Sequence, residues 1–481
     1  MRFGIYLTLL IAILPIVLTR PFFGLCAYYV VSLMQPKLLA WQTSFPDAML
    51  VGVPMVIGAI AIGAKRLSWR PQIDRATGRI SALTARVVRS PILEPSWLLG
   101  ACALLLAYIT INRLITPYPL SNTTEQYRGL CKVLIVVALL TGMASDYRRF
   151  RVIYAVIALS VAFWAIKGGL KVILLGPHQV YGRTYDNNLF ALTSVMTLPM
   201  VFYFALSVKH ARWRAILFVC VALMCLAIIG SRSRAGFVAF AVVLTMMAWN
   251  CRYRWRAMFA VLVFATVAAV LSGPEISDRV RSIVEFRQDR SARSRFWTWD
   301  VAVQLLRQNP VLGIGFENFE AAKDSLVGGR KAAHNIYLQN LAELGVLGHP
   351  LWLTVIFGSL ITAWLFMRWS RKLPPDMRWA YYWSRGLMLG LMAFCIHGMF
   401  HNEEYLELMF VMVGLIASLQ SATRRELHRR RMEDQIEQGE SATRTSGASA
   451  TPVRRRGAPT PFHPGQLAGG LRFGRVGTRT R

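Results

Sequence analysis

Apolar blocks close to the length that crosses a bilayer core as a helix recur along almost the whole chain, separated by short Arg-rich connections. Their clearest stretches are Val51–Ala64, Trp97–Ile111, Val133–Met143, Phe190–Leu206, Ile216–Ile229, Phe237–Met247 and Leu351–Phe366. Of 481 residues 55% are apolar, and mean hydropathy is +0.41. A soluble chain of this length would form two or three cores and would not be this apolar overall. The expected fold class is an all-α polytopic membrane protein, with about 12 transmembrane helices and one long helical loop.

The formal net charge of +31 would suggest nucleic acid in a soluble protein. Here the cations sit in short connections between spans, where the positive-inside bias predicts them, and nucleic acid is not an expected partner. Working back from a cytoplasmic C-terminus, the basic connections Lys65–Arg89, Asp146–Arg151, Lys209–Arg214, Arg252–Arg256 and Arg368–Arg378 fall inside. Trp41–Asp47, Leu114–Arg128, Gly176–Asn188, Ser231–Ala235, Gly273–His349 and His401–Tyr405 fall outside. The long Gly273–His349 loop is basic as well, which long translocated loops tolerate.

The chain divides into an N-terminal transmembrane bundle (1–272), the outside loop with amphipathic helices (273–349) and C-terminal transmembrane helices (350–420). A basic cytoplasmic tail (421–481) is expected to be disordered, with Arg424, Arg425 and Arg429–Arg431 able to meet anionic headgroups. Met1–Thr19 reads as an anchor rather than a cleaved signal, and Arg20-Pro21 leaves open whether residues 1–40 hold one span or two. In the loop, Arg295–Gln308 places Phe296, Trp299, Val303 and Leu306 near one helical face. Asn309-Pro310 ends that helix, Gly313-x-Gly315 turns, and a second helix runs from His334-Asn335 through Leu347. The seven cysteines lie in or beside spans without a C-x-x-C pattern and read as small packing residues.

Four polar clusters fall on the outside face. They are Gly182–Asn188 with Arg183, Asn187 and Asn188; Ser231–Arg234 with Arg232 and Arg234; Arg295 with its solvated neighbour Arg293, followed by Glu317; and His334-Asn335-x-Tyr337, followed by Glu343. Cations and polar groups at membrane depth are expensive and mark function by default. Each also has an ordinary reading. His334 alone would be a surface histidine at a helix start, Arg232 or Arg234 a snorkelling cation, and Asn187 and Asn188 caps. Glu317 and Glu343 suit a helix surface, His397 and His401 packing or headgroup contact, and Trp297 and Trp299 interfacial anchors. Convergence of all four clusters on one face favours the functional reading.

The run His334-Asn-Ile-Tyr-Leu-Gln-Asn-Leu-Ala-Glu343-Leu-Gly345-Val-Leu-Gly348 resembles the hallmark of the O-antigen ligase/polymerase superfamily. So does Arg295-Phe-x-x-Trp…Asn309-Pro-Val-Leu-Gly-Ile-Gly315-Phe-Glu-Asn-Phe319 before it. Ser233-Arg234-Ala235-Gly236 is similar to that family's Ser-Arg element, and Asp186-Asn187-Asn188 to its Asn-Asn element. Arg20-Pro-Phe-Phe-Gly…Ser32-Leu-Met-Gln-Pro36 looks like a subgroup of exosortase-associated O-glycosylation ligases.

The resemblance covers roughly residues 20 to 420. It implies a bacterial inner-membrane enzyme with its site facing the periplasm. The donor would be an undecaprenyl-diphosphate-linked glycan and the acceptor a lipid A–core hydroxyl, with membrane lipids around it. His334, Arg234 and Arg295 become the expected catalytic residues; Arg183, Asn187, Asn188, Arg232, Asn335, Tyr337 and Glu317 become substrate contacts. A departing diphosphate gathers negative charge that forked, permanently charged guanidiniums suit. The outside clusters contain no Asp-x-Asp, so neither a metal nor a cofactor is expected. Polymerase, protein O-oligosaccharyltransferase and, from another class, a transporter of the lipid-linked glycan are the competing readings.

Overall fold

The computed structural model describes residues 2–40, 45–63, 65–73, 80–89, 92–116, 123–176, 186–249, 253–256, 258–259, 290–329 and 331–445. It opens with α1 (Arg2–Thr19), α2 (Pro21–Tyr29, continued by a π-helical turn Val30–Met34) and α3 (Asp47–Ala61). Pro21 stands at the first position of α2, where its missing N–H costs nothing, so the first apolar region is two helices. Then come α4 (Trp97–Ile115), α5 (Thr124–Met143), α6 (Tyr147–Leu175), α7 (Asn187–Ser207), α8 (Ala211–Gly230) and α9 (Arg234–Trp249). The remainder is α10 (Arg290–Gln308), α11 (Phe319–Val327), α12 (Ile336–Ser370), α13 (Arg378–His397) and α14 (Glu407–Thr445).

Among the described residues, α1, α4, α5, α6, α7, α8 and α12 are long and apolar enough to cross a membrane, and Pro21–Met34, α3 and α9 are shorter apolar helices. Leu9, Leu104 and Leu174 are turned outward on these helices. Aliphatic surface on that scale is at home only in lipid. The protein is a polytopic, helical membrane protein. One departure is the connection expected as a basic loop, where β1 (Lys65–Ile73) and β2 (Ile80–Arg89) pair as an antiparallel hairpin.

The hub is α7, with 78% of its most apolar window buried, against 11% for the peripheral α1. It packs most extensively on α13, where Gly386 and Gly390 stand one helical turn apart. A Cβ on Gly390 would come within 2.6 Å of the Met196 carbonyl, so the pair of glycines is what lets the two backbones approach.

Two expectations need correction. In α10 the buried face is Thr298, Val301, Ala302 and Leu305, while Phe296 and Val303 are exposed. Val301, Ala302 and Leu305 join Ile314, Phe319, Ala322, Ala333 and Ala342 in a small core under the loop. The tail expected to be disordered from residue 421 is helical through Thr445. Its charges are matched along the helix, Arg429 to Glu426 at 2.6 Å and Arg430 to Glu426 at 3.0 Å, and Arg425 reaches Glu94. Residues 446–481 lie outside the described residues.

The boundary expected at 349/350 between loop and span also moves. α12 is broken at Gly345, whose φ of 64° and ψ of −172° interrupt the helix. The extended segment after α10 lies in that break. Ile314 N–H donates to Ala342 O (2.9 Å), Gly315 N–H to Glu343 O (2.8 Å) and Val346 N–H to Pro310 O (2.9 Å). α4 clamps the junction from the side. Asn112 donates to Leu312 O (2.7 Å) and accepts from Phe316 N–H (3.0 Å), Thr116 donates to Ile314 O (2.9 Å), and Tyr108 donates to Leu344 O (2.7 Å). A buried asparagine in a membrane helix is thereby fully used by loop backbone. Asn112→Leu strands a carbonyl and an N–H, at roughly 1–3 kcal/mol each. It is expected to lower the thermal midpoint in detergent and to make the 310–335 loop protease-sensitive.

Candidate active site

Arg232 (φ 54°), Glu317 (56°) and His334 (53°) are three of the four non-glycine residues with positive φ among the described residues. An L-residue there costs about 1 kcal/mol or more and persists only where its surroundings dictate it. At Arg232 the tight passage from α8 to α9 does so. Ser231 Oγ donates to Ile228 O (2.6 Å), and Ser233 N–H donates to Ser231 Oγ (3.3 Å). At His334 both neighbours are tied down. Ala333 N–H donates to Gln339 Oε1 (3.1 Å), and Ala333 O accepts from Trp299 Nε1 (2.9 Å). Asn335 Oδ1 caps α12 by accepting from Tyr337 and Leu338 N–H (3.0 and 3.2 Å). Trp299, expected as an interfacial anchor, instead fastens α10 to the loop that presents His334.

The clusters read from the sequence are joined pairwise. Asn187 Nδ2 donates to Ser231 O (3.2 Å), and Ser233 Oγ donates to Asn188 Oδ1 (2.7 Å), so the start of α7 and the α8–α9 turn carrying Arg232 and Arg234 are one unit. Asp186 caps α7, accepting from the N–H groups of Asn188 (2.7 Å) and Leu189 (3.3 Å). The second unit is α10 with the segment before α12. Lys331 donates to Ser294, the residue beside Arg295.

The imidazole of His334 senses both units. Burial is the main cause holding its pKa below the ordinary histidine value; Arg295 and Lys331 push the same way, and Asp186 opposes them. Its Nδ1 is buried without a hydrogen-bond partner among the described residues. Around neutral pH the ring is therefore a neutral base in a cationic surrounding. Arg232, Arg234 and Arg295 are half-buried beside it or on the joined turn.

Not every expected residue joins this cluster. The Tyr337 hydroxyl donates to Cys395 O (2.9 Å) and packs α12 on α13. Glu317 sits in a separate acidic nest. The Glu343 carboxylate accepts from the N–H of Glu317 (3.0 Å) and of Phe319 (3.3 Å), and Gln339 Nε2 donates to Glu404 (2.9 Å). Burial, then Glu403 and Glu320, push the Glu317 carboxyl up to about 7. Arg183 lies outside the described residues.

The structure adds groups to which the sequence reading gave no site role: Asp186 and Lys331, and the imidazoles of His397 and His401. His401 senses Asp186, His334 and Arg295, and His397 senses His401 and Arg295. The available signal was positional, since the two histidines flank a helix end and a connection that the sequence leads one to expect on the same face as the four clusters.

Residues 219–353 match the model of a family described as O-antigen ligase. The matched segment runs from α8 into α12 and contains Arg232, Arg234, Arg295, Glu317, His334, Asn335 and Tyr337; Asn187, Asn188, His397 and His401 lie beyond it. It gives no support to the exosortase-associated resemblance read from Arg20–Pro36. No curated protein matches the chain.

Proposed function

We propose, from the premise that this chain belongs to the O-antigen ligase superfamily, that it is a ligase-type glycosyltransferase. It would move a glycan from undecaprenyl diphosphate to a lipid A–core hydroxyl at the periplasmic face of a bacterial inner membrane. The observation that carries this reading is a half-buried His334 held at positive φ, its pKa lowered by burial and by the charges of Arg295 and Lys331, together with an Arg232–Arg234 turn that Asn187 and Ser233–Asn188 bonds fix on the start of α7.

The acceptor oxygen attacks the anomeric carbon, and its proton passes to His334. The bond to the diphosphate oxygen breaks, and the leaving anion is received by guanidiniums whose donors are already in place. Attack opposite the leaving group inverts the anomeric centre. Arg234 and Arg295 are the proposed diphosphate ligands, with Arg232, Asn187 and Asn188 as further substrate contacts; Arg183, outside the described residues, is proposed for the same role. The serine and asparagine bonds under Arg234 fix the turn from which it projects.

The test is reconstitution of the purified chain with an undecaprenyl-diphosphate glycan. Three acceptors are offered separately: lipid A–core, a second carrier-linked repeat and an acceptor protein. Glycan on lipid A–core is the expected result. Product on the second repeat makes the chain a polymerase, and product on protein makes it an oligosaccharyltransferase. Glycan crossing the vesicle membrane without any transfer makes it a transporter and ends the reading. Transfer is expected to survive added chelator, because the charge of the diphosphate is met by arginines. The rate is also expected to hold below pH 6.5 before it falls, since the His334 pKa lies under its ordinary value and only the neutral ring accepts a proton.

A further inference from the structure

A groove with a volume of about 720 Å³ runs along α6 from its N-terminal end, and none of the proposed site residues lines it. At its mouth are Arg148 and Arg151, one helical turn apart on the same face of α6 and both exposed. Beyond them Val152, Leu159 and Phe163 form an apolar floor, with Val152 and Leu159 left exposed. No acidic side chain is among the described residues that line it.

The lining is already fastened. Tyr147 stacks on Trp383 with ring centroids 5.9 Å apart, and Phe204 of α7 stacks on Tyr154 at 6.0 Å. Val30 and Met34 bound the π-helical turn after α2, and Met34 O accepts from Trp164 Nε1 (2.7 Å). A ligand therefore meets a groove that needs no rearrangement to receive it.

Dimensions and charge point to the occupant. From Val152 to Phe163 the helix rises roughly 16 Å, against about 15 Å for the hydrocarbon depth of one leaflet. The apolar part of the groove is thus as long as one leaflet is deep, with both guanidiniums at headgroup level. The positive-inside bias accounts for cations at this end of a span, but not for how they are used. Arg149, between the two, is engaged within the protein. Its guanidinium lies over the Phe22 ring (5.0 Å) and reaches Asp146 (3.7 Å) and Met143 O (3.4 Å). Arg148 and Arg151 have no hydrogen-bond or ion-pair partner among the described residues. Forked guanidiniums open at headgroup level suit a phosphate. A zwitterionic headgroup brings its own cation, which cancels part of the attraction.

We infer that this groove binds an anionic glycerophospholipid, its phosphate between Arg148 and Arg151 and one acyl chain along Val152–Phe163. The lipid would join α2, α6 and α7 at the end of α6 expected inside, away from the face expected to carry His334. The site stands independently of the transferase reading.

The experiment is native mass spectrometry of the full chain, titrated in detergent with phosphatidylglycerol, phosphatidylcholine or undecaprenyl phosphate. The wild type is expected to hold one phosphatidylglycerol about tenfold or more tightly than phosphatidylcholine. Arg148→Gln combined with Arg151→Gln should bring that preference close to unity. Both side chains are exposed on a helix, so this variant should fold. Leu159→Trp, which fills the groove, should weaken retention of phosphatidylglycerol with both arginines in place. Thermal midpoints give a second measurement. Phosphatidylglycerol should raise that of the wild type and leave that of the double variant unchanged.

Equal retention of the two phospholipids by the wild type overturns the proposal, and so does a double variant that keeps the preference. Undecaprenyl phosphate held ahead of phosphatidylglycerol overturns it by assigning the groove to a prenyl carrier. A dimer that Leu159→Trp dissociates, with lipid retention untouched, overturns it by assigning the groove to a second copy of the chain.

Discussion

Alanine in place of His334 is expected to lower glycan transfer by at least about a hundredfold, the usual contribution of a positioned acid–base group. The chain should remain folded, because the neighbours of His334 carry the local structure. Asn335 caps α12, Ala333 is bonded on both sides, and the imidazole Nδ1 holds no partner among the described residues. Glycine at the same position sharpens the expectation. At a φ of 53° it removes a strain of about 1 kcal/mol. His334→Gly should therefore be as inactive as His334→Ala and at least as resistant to thermal unfolding in detergent. A site residue whose removal stabilises the protein is one whose conformation was kept for chemistry. If both variants turn over near the wild-type rate, His334 is not the base. If both are inactive and unfold well below the wild type, the histidine is a structural residue and the assignment fails equally.

Much of this architecture was legible because it is written in local composition. Apolar blocks and the Arg-rich connections between them fix where helices cross, and the described helices follow those blocks. The hairpin at residues 65–89 was hidden by its own charge, since cations that mark a cytoplasmic connection say nothing about whether it is extended or irregular. In α10 the large aromatics drew attention to the wrong stripe. Phe296 is exposed, and small residues, Thr298 and Ala302, allow the helix to seat on its loop core. The helical tail was missed for a related reason, because a high charge density signals disorder only until the charges are found paired three and four residues apart. At the candidate site, the residue types and their shared face were readable, but their partners were not. That Ser233 holds Asn188, or that Trp299 fastens α10 to the backbone before His334, depends on which helix ends meet across long sequence separations.

The two halves of the motif around Gly315 and Gly345 look like independent turn signals in sequence, yet they are one object, which gives the second large prediction. Gly345→Val is expected to destabilise the fold by roughly 3–5 kcal/mol, combining a left-handed conformation with loss of backbone bonds worth about 1 kcal/mol each. A Cβ on Gly345 would sit 2.3 Å from Val311 O and 2.6 Å from Gly313 N, so no rotamer avoids the clash and the inserted segment must leave. With it would go the bonds from Ile314, Gly315 and Val346 that close the break in α12. Gly328→Ala separates the two causes. Gly328 also has a positive φ, 77°, but a Cβ there meets nothing within 4 Å, so only the conformational cost of about 1 kcal/mol applies. The measurement is the thermal midpoint of each variant in detergent beside its transfer activity. The expected pattern is a small, active shift for Gly328→Ala and loss of both stability and transfer for Gly345→Val. Equal midpoints for the two would mean that the loop does not depend on the break in α12 for its seat. His334 would then have to be aimed by its own neighbours alone, Trp299 through Ala333 and the Asn335 cap, without the docked backbone beneath them.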